Sequence, residues 1–222
     1  MKSFCLALLF SALLPVALGS GPAAASAMQP SLDVRAVLRK MTDRNPTLQS
    51  YRARVHVDVR MLNFPFLAPK LDGTSYYKRP DLYVVVFDRM PSYARGFQKL
   101  FNDIGNPNQW QRDSNVAVDG SATIDDRPMI VLRMTKKIRS DILDHTLAYV
   151  DAATFDLARM EWYYTSGGKI TMTQQYRSQG IYSVLSSQHA TIQIPHVRAV
   201  ADASYGTYET NVPVEPGGPE AR

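Results

Sequence analysis

Between Tyr51 and Met61 apolar and polar side chains alternate without a break. Tyr51, Ala53, Val55, Val57, Val59 and Met61 fall on one face, and Arg52, Arg54, His56, Asp58 and Arg60 fall on the other. A strand turns successive side chains to opposite faces, so this is the pattern of a strand with one dry and one wet side. A helix would scatter the same arginines around its circumference. One dry face per strand predicts an antiparallel sheet rather than a parallel sheet covered on both sides.

The same reading extends along the chain. Val34, Val37, Leu38 and Met41 recur at helical spacing, with Ser31 as the expected N-cap, Asp33 in the first turn and Asn45-Pro46 as the stop. The apolar, proline-containing loop 64–69 follows the long strand and is expected to pack against something apolar. Gly73–Lys78 and Leu82–Asp88 predict two strands around a turn at Lys78-Arg79-Pro80-Asp81. The second, apolar on both faces, is expected to be central or doubly covered. Phe97, Leu100, Phe101 and Ile104 form a second helical stripe between Gly96 and Gly105, glycines free to act as hinges. Gly105–Asp126, rich in Asn, Asp and Gly, reads as loop with one short strand near Val116–Val118. Strands are then expected at Met129–Thr135, Thr146–Val150, Phe155–Tyr164, Lys169–Tyr176, His189–Val197 and Ser204–Val212. Strands outnumber what two short helices can cover. The expected fold is therefore mainly β with two or three helices: a curved antiparallel sheet, an unclosed half-barrel, with its helices plugging the concave side.

Composition narrows the setting. Lys2, the apolar run Phe4–Leu18 and the small residues Ala25-Ser26-Ala27 have the form of a cleaved secretory signal. The run is shorter than the roughly 20 residues a spanning helix needs, and Pro15 interrupts it. The expected organisation is a signal peptide at 1–27, one domain at 28–212 and a disordered Pro/Gly/Glu-rich tail at 213–222. The single cysteine, Cys5, lies in the leader, so the mature chain has no thiol, disulfide or Cys-ligated metal site. The 25 basic and 20 acidic side chains of the full sequence give a formal net charge of +5, but the positive residues are scattered along strand faces. That is a poor basis for binding nucleic acid.

Several residues invite chemistry. Met61, Met134, Met160 and Met172 either fill a core or line a deformable cavity. Trp162, Tyr163 and Tyr164 suit a cavity mouth or plain sheet packing. Lys78-Arg79 suits a phosphate, an acidic partner or a solvated turn. Asp141, Asp144 and His145 match no metal or acid/base spacing. The chain has no G-x-S-x-G, no H-E-x-x-H and no phosphate-binding glycine loop. No catalytic residue, metal ligand or cofactor is expected, and the protein does not read as an enzyme.

Three stretches resemble one family. Gly73–Asp88 (GTSYYKRPDLYVVVFD) is similar to the strand, K-R-P turn, strand element of the LolA-like lipoprotein-sorting superfamily. His145–Trp162 (HTLAYVDAATFDLARMEW) resembles its V-D-x-x-T-F hairpin, and Glu209–Val214 (ETNVPV) its closing strand. The likeness runs from about Leu32 to Val214, and the order of elements after a signal peptide carries it better than any single motif. It implies an unclosed curved sheet whose apolar cavity receives acyl chains, in a periplasmic carrier or sensor of lipids and lipoproteins.

The expected function is that of a periplasmic carrier binding acyl chains of a lipid or lipoprotein and moving them toward the outer membrane. Transient inner- and outer-membrane protein partners are expected, and no nucleic acid. The alternative is a periplasmic lipid-sensing or interaction module that regulates a membrane partner. The expected cavity lining is Val55, Val57, Val59, Met61, Val84, Val86, Phe97, Leu100, Phe101, Leu132, Met134, Met160 and Trp162, with the helix around Phe101 as a movable plug.

Overall fold

The computed structural model describes residues 33–80, 82–90, 107–138 and 140–215. The alternation at Tyr51–Met61 becomes β1 (Ser50–Met61), followed by β2 (Lys70–Lys78) and β3 (Leu82–Phe87). A second run of strands comprises β4 (Ser114–Ile124), β5 (Arg127–Lys136), β6 (Leu143–Asp151), β7 (Leu157–Tyr164), β8 (Lys169–Gln179), β9 (Tyr182–Ile194) and β10 (Val197–Thr210). Helix α1 (Val34–Asp43) precedes β1, and the short helix α2 (Pro107–Asp113) leads directly into β4. All ten strands lie in one antiparallel sheet in the order β3-β2-β1-β10-β9-β8-β7-β6-β5-β4. Two meanders, β1–β3 and β4–β10, are thus joined by a single seam between β1 and β10. The sheet stays open, with β3 and β4 as its edges.

Register makes the dry face continuous. Val57 stands beside Leu71 of β2 and Ala203 of β10, and Ala203 in turn beside Gln188 of β9. A second row runs Val59, Ala201, Ala190, Met172, Met160, Ala148 and Leu132. Directly opposed side chains on one face are close enough to pack, so each row is a ridge of contacts across the sheet. Helix α1 adds Val37, Leu38 and Met41 to the same buried cluster, and α2 adds Trp110. Burying each large apolar side chain stabilises the fold by about 1.5–3 kcal/mol.

The differences from expectation have local causes. Asp33, not Ser31, caps α1, its carboxylate accepting from the Arg35 amide at 3.0 Å. Gly105–Asp126 is not mainly loop: from Pro107 onward it carries α2 and the eleven-residue β4. Its polar composition suits an edge strand with mostly exposed side chains, and Gly120 (φ 136°) sits at a register shift against β5. β3 is an edge strand rather than a central one, with Val84 and Val86 half-buried on the face away from the core. Pro195 does not break a strand but lies in the turn between β9 and β10, which are both longer than expected. The tail still packs at Val214, which is buried. The expected helix at Phe97–Ile104 lies outside the described residues, as do the leader and residues 216–222.

Gly73 is required by its neighbour strand. A Cβ there would lie 2.5 Å from the Val86 carbonyl oxygen, so only glycine lets β2 and β3 approach this closely.

Two carboxylates outside the apolar core are nevertheless buried, Asp151 at the end of β6 and Glu161 in β7. Glu161 is 5% exposed and accepts from Tyr163 Oη (2.7 Å), Lys169 Nζ (2.9 Å) and Tyr149 Oη (3.1 Å). Burial pushes its carboxyl up, but the three donors more than offset this and hold it below the usual range. The Tyr149 phenol, desolvated and facing that charge, is pushed up to about 12.

Two outcomes follow for stability. Val57→Asp should lose several kcal/mol in urea unfolding, because it buries an unpaired charge. Gln193→Asp, on the wet face between Lys169 and Arg198, should stay within about 0.5 kcal/mol of the parent. A depressed carboxylate contributes stability above its unfolded value of 4.5 and loses it as pH falls through the folded value. Glu161→Gln should therefore cost about 2 kcal/mol at pH 7. Melting curves should show that gap persisting down to pH 4.5 and closing below it.

Candidate functional site

At one end of the sheet the dry face stops being purely aliphatic. β1 and β3 begin there, β2 ends there, and their register sets Tyr51, Tyr77 and Tyr83 side by side. β10 contributes Tyr208, but only because of a bulge. Ala53 pairs with Tyr208 and Val55 with Tyr205, so Gly206 and Thr207 are accommodated without a regular partner. Without that shift Tyr205 and Tyr208, three residues apart, would point to opposite faces. With it, both are buried on the dry side. Tyr51 stacks on Tyr77 (5.2 Å between centroids) and meets Tyr208 edge-on at 4.9 Å.

These rings surround a cavity of ≈ 130 Å³ closed by the end of α1, the 44–48 loop and the start of α2. Gln174, Tyr176 and Leu185 form its β8–β9 side. The loop is tied down from both directions. Asn45 donates to the Ser183 carbonyl (2.8 Å) and accepts from the Ser183 amide (3.1 Å). Arg79 donates to three carbonyls, those of Leu48 (2.8 Å), Asn45 (2.9 Å) and Thr42 (3.2 Å). A guanidinium there satisfies acceptors that the end of a helix leaves open and faces the negative end of its dipole. The Lys78-Arg79 turn thus holds α1 in place rather than lying free in solvent.

The second cation of the cavity, Arg44, pairs with Asp156 and stacks on the Tyr176 ring at 4.6 Å. Burial works against its charge, but Tyr176 and Asp156 more than offset that and raise its pKa. Burial pushes the Tyr51, Tyr83, Tyr176 and Tyr208 phenols up, so the tyrosines of the wall are neutral at pH 7, and its charges are the Arg44–Asp156 pair and the Arg79 guanidinium. Such a wall can take an apolar group and offer it a few hydrogen bonds.

The sequence-expected lining is placed unevenly. Val55, Val57, Val59 and Leu132 are deep in the packed core, and Met61 is half-buried at the far end of β1. Met134, Met160 and Trp162 come together with Trp110 around a second, smaller cavity of ≈ 40 Å³. Val84 and Val86 do not belong: the register places Tyr83, Val85 and Phe87 on the core side instead. Phe97, Leu100 and Phe101 lie outside the described residues. Sequence reasoning missed the tyrosines and Gln174. The available signal was a polar residue at an inward position, since Gln174 continues the alternation of Ile170 and Met172.

No protein-family model and no curated protein matches the sequence. Solved structures do match in three dimensions. A DUF1329 family protein from Desulfovibrio piger superposes with a TM-score of 0.62 at 10% identity, over 82% of this chain and 95% of its own. A LolA superfamily protein from Nitrosomonas europaea gives 0.62 at 15% identity, over 83% and 96%. The fold is LolA-like. A putative outer membrane lipoprotein-sorting protein domain from Vibrio parahaemolyticus also matches, at 0.61 and 9% identity over 82% and 93%. In this LolA-like sheet the tyrosine-lined cavity opens beside the first helix.

Arg79→Ala should lower the urea midpoint by the equivalent of about 2–3 kcal/mol, the cost of stranding buried carbonyls. Arg79→Lys should recover only part of this, because a point ammonium cannot reproduce the guanidinium fork.

Proposed function

We propose that this protein is a periplasmic carrier that takes acyl chains of a lipid or lipoprotein into the space between sheet and helices and moves them toward the outer membrane. The observation that carries the reading is the continuous apolar face across ten strands, bordered at one end by a tyrosine-lined cavity. The LolA-like fold and the signal-like leader support it. Each methylene transferred out of water contributes about 0.8 kcal/mol, so a partly inserted chain binds without any ionic contact. A cavity of ≈ 130 Å³ is near the size that holds one benzene, about 150 Å³. A longer chain therefore requires the apolar interior to part further, and release requires a partner or a reversal of that opening.

The second reading, a lipid-sensing or interaction module regulating a membrane partner, is favoured by one feature. The 62–66 loop presents Leu62, Phe64 and Phe66, the last 81% exposed, instead of packing them inward. Such a patch suits contact with a partner.

Protein purified from the periplasm in its native state, extracted with organic solvent and analysed by mass spectrometry, should yield acylated lipid near one equivalent per chain. An extract free of acyl species, together with stable capture of a membrane protein, favours the second reading instead.

A further inference from the structure

The dry face carries two side chains that an acyl chain alone does not need. Gln174 of β8 and Gln188 of β9 are direct cross-strand partners, 7% and 3% exposed. Each amide has one hydrogen bond to a phenol: Tyr176 Oη to Gln174 Oε1 at 2.6 Å, and Tyr205 Oη to Gln188 Oε1 at 2.7 Å. The Nε2 atom of each has no hydrogen-bond partner among the described residues. Leaving a buried amide N–H unpaired is destabilising, and a methionine of similar volume would avoid that penalty.

Gln174 sits where a ligand in the cavity reaches it. Gln174 lines the ≈ 130 Å³ cavity, and Gln188 is its neighbour on the same face. The free groups are neutral N–H donors, so they call for an acceptor.

We infer that Gln174, with Gln188 beside it on the same face, forms the polar subsite of the cavity, binding the ester or amide carbonyl of an acylated ligand and selecting acyl esters over plain hydrocarbon. This rests on the carrier reading. The ligand's carbonyl oxygen takes the N–H groups that the fold leaves open, and its hydrocarbon lies along the apolar face beyond.

The test is competition against the neutral probe N-phenyl-1-naphthylamine with methyl decanoate, decanoate and decane as competitors. The purified protein should bind the ester about tenfold more tightly than decane, the equivalent of one good hydrogen bond. Gln174→Met/Gln188→Met should bind decane as before and lose the tenfold preference. Equal affinity for ester and decane in the parent protein overturns the inference and leaves the carrier reading standing. A preference that survives in the folded double variant overturns it too. If none of the three competitors displaces the probe, both readings fall. Should the double variant fail to fold, infrared spectroscopy of carbonyl-13C methyl decanoate on the parent protein decides. A hydrogen-bonded carbonyl shifts to lower frequency on binding, whereas an unshifted band overturns the inference.

Discussion

Everything in this fold depends on the pairing of β1 with β10. The chain builds two meanders, one of three strands and one of seven, and only this seam makes them a single sheet. It also carries the sharpest one-sided pattern in the molecule, with Val55, Val57 and Val59 set against Tyr205, Ala203 and Ala201. Slipping the register by one residue would bury Arg54, His56 and Asp58 and expose the valines. The wet side reinforces the correct alignment. Arg52 pairs with Glu209 at 2.6 Å, and Arg60 with Asp202 at 3.5 Å. Exposed pairs of this kind add little stability, but they disfavour the shifted arrangement.

Bulges then turn a uniform sheet into one with a site. A regular ladder would carry the same face to the end of every strand. The irregularity at Ala53/Val55 instead adds residues to β10 and brings Tyr208 inward, and the shift between Gln175 and Tyr176 sets Tyr176 against Leu185. Both fall at the same end of the sheet, where α1 terminates and the cavity lies. The polar groups there are largely satisfied by one another; the exceptions among the described residues include the two glutamine amides and Arg44 Nε. Arg79 links this end of the sheet to the helix covering it, so the cavity and the helix anchor share one residue.

A carrier of apolar cargo has to hold a dry interior closed when empty and yield it when loaded. The long rows of Val, Ala, Met and Leu across the sheet supply a surface without directional demands, and methionines adapt to variable shapes. Four of them, at Met134, Met160, Met172 and half-buried Met61, do lie on that face. The tyrosine end differs in kind, being aromatic and equipped with hydrogen-bonding groups. A ligand with an apolar body and a small polar head matches that division.

The local pattern by itself determined the fold class, the one-sided strands and most of the strand positions. Period-two alternation is a property of neighbouring residues, and β1 could be read at Tyr51–Met61 within one residue of its observed limits. The same pattern misjudged β3, whose apolar run suggested a central position although it is an edge strand, because strand order depends on partners distant in sequence. It read much of 105–126 as loop, because an edge strand and a loop are both polar. The cavity was not legible at all. Tyr51, Tyr77, Tyr176 and Tyr208 are brought together by register and by a bulge, and the roles of Arg44 and Arg79 depend on the end of a helix packed across the sheet. Tertiary structure alone decided these, because long-range pairing sets which residues meet and the spacing of side chains along one strand carries no record of its neighbours.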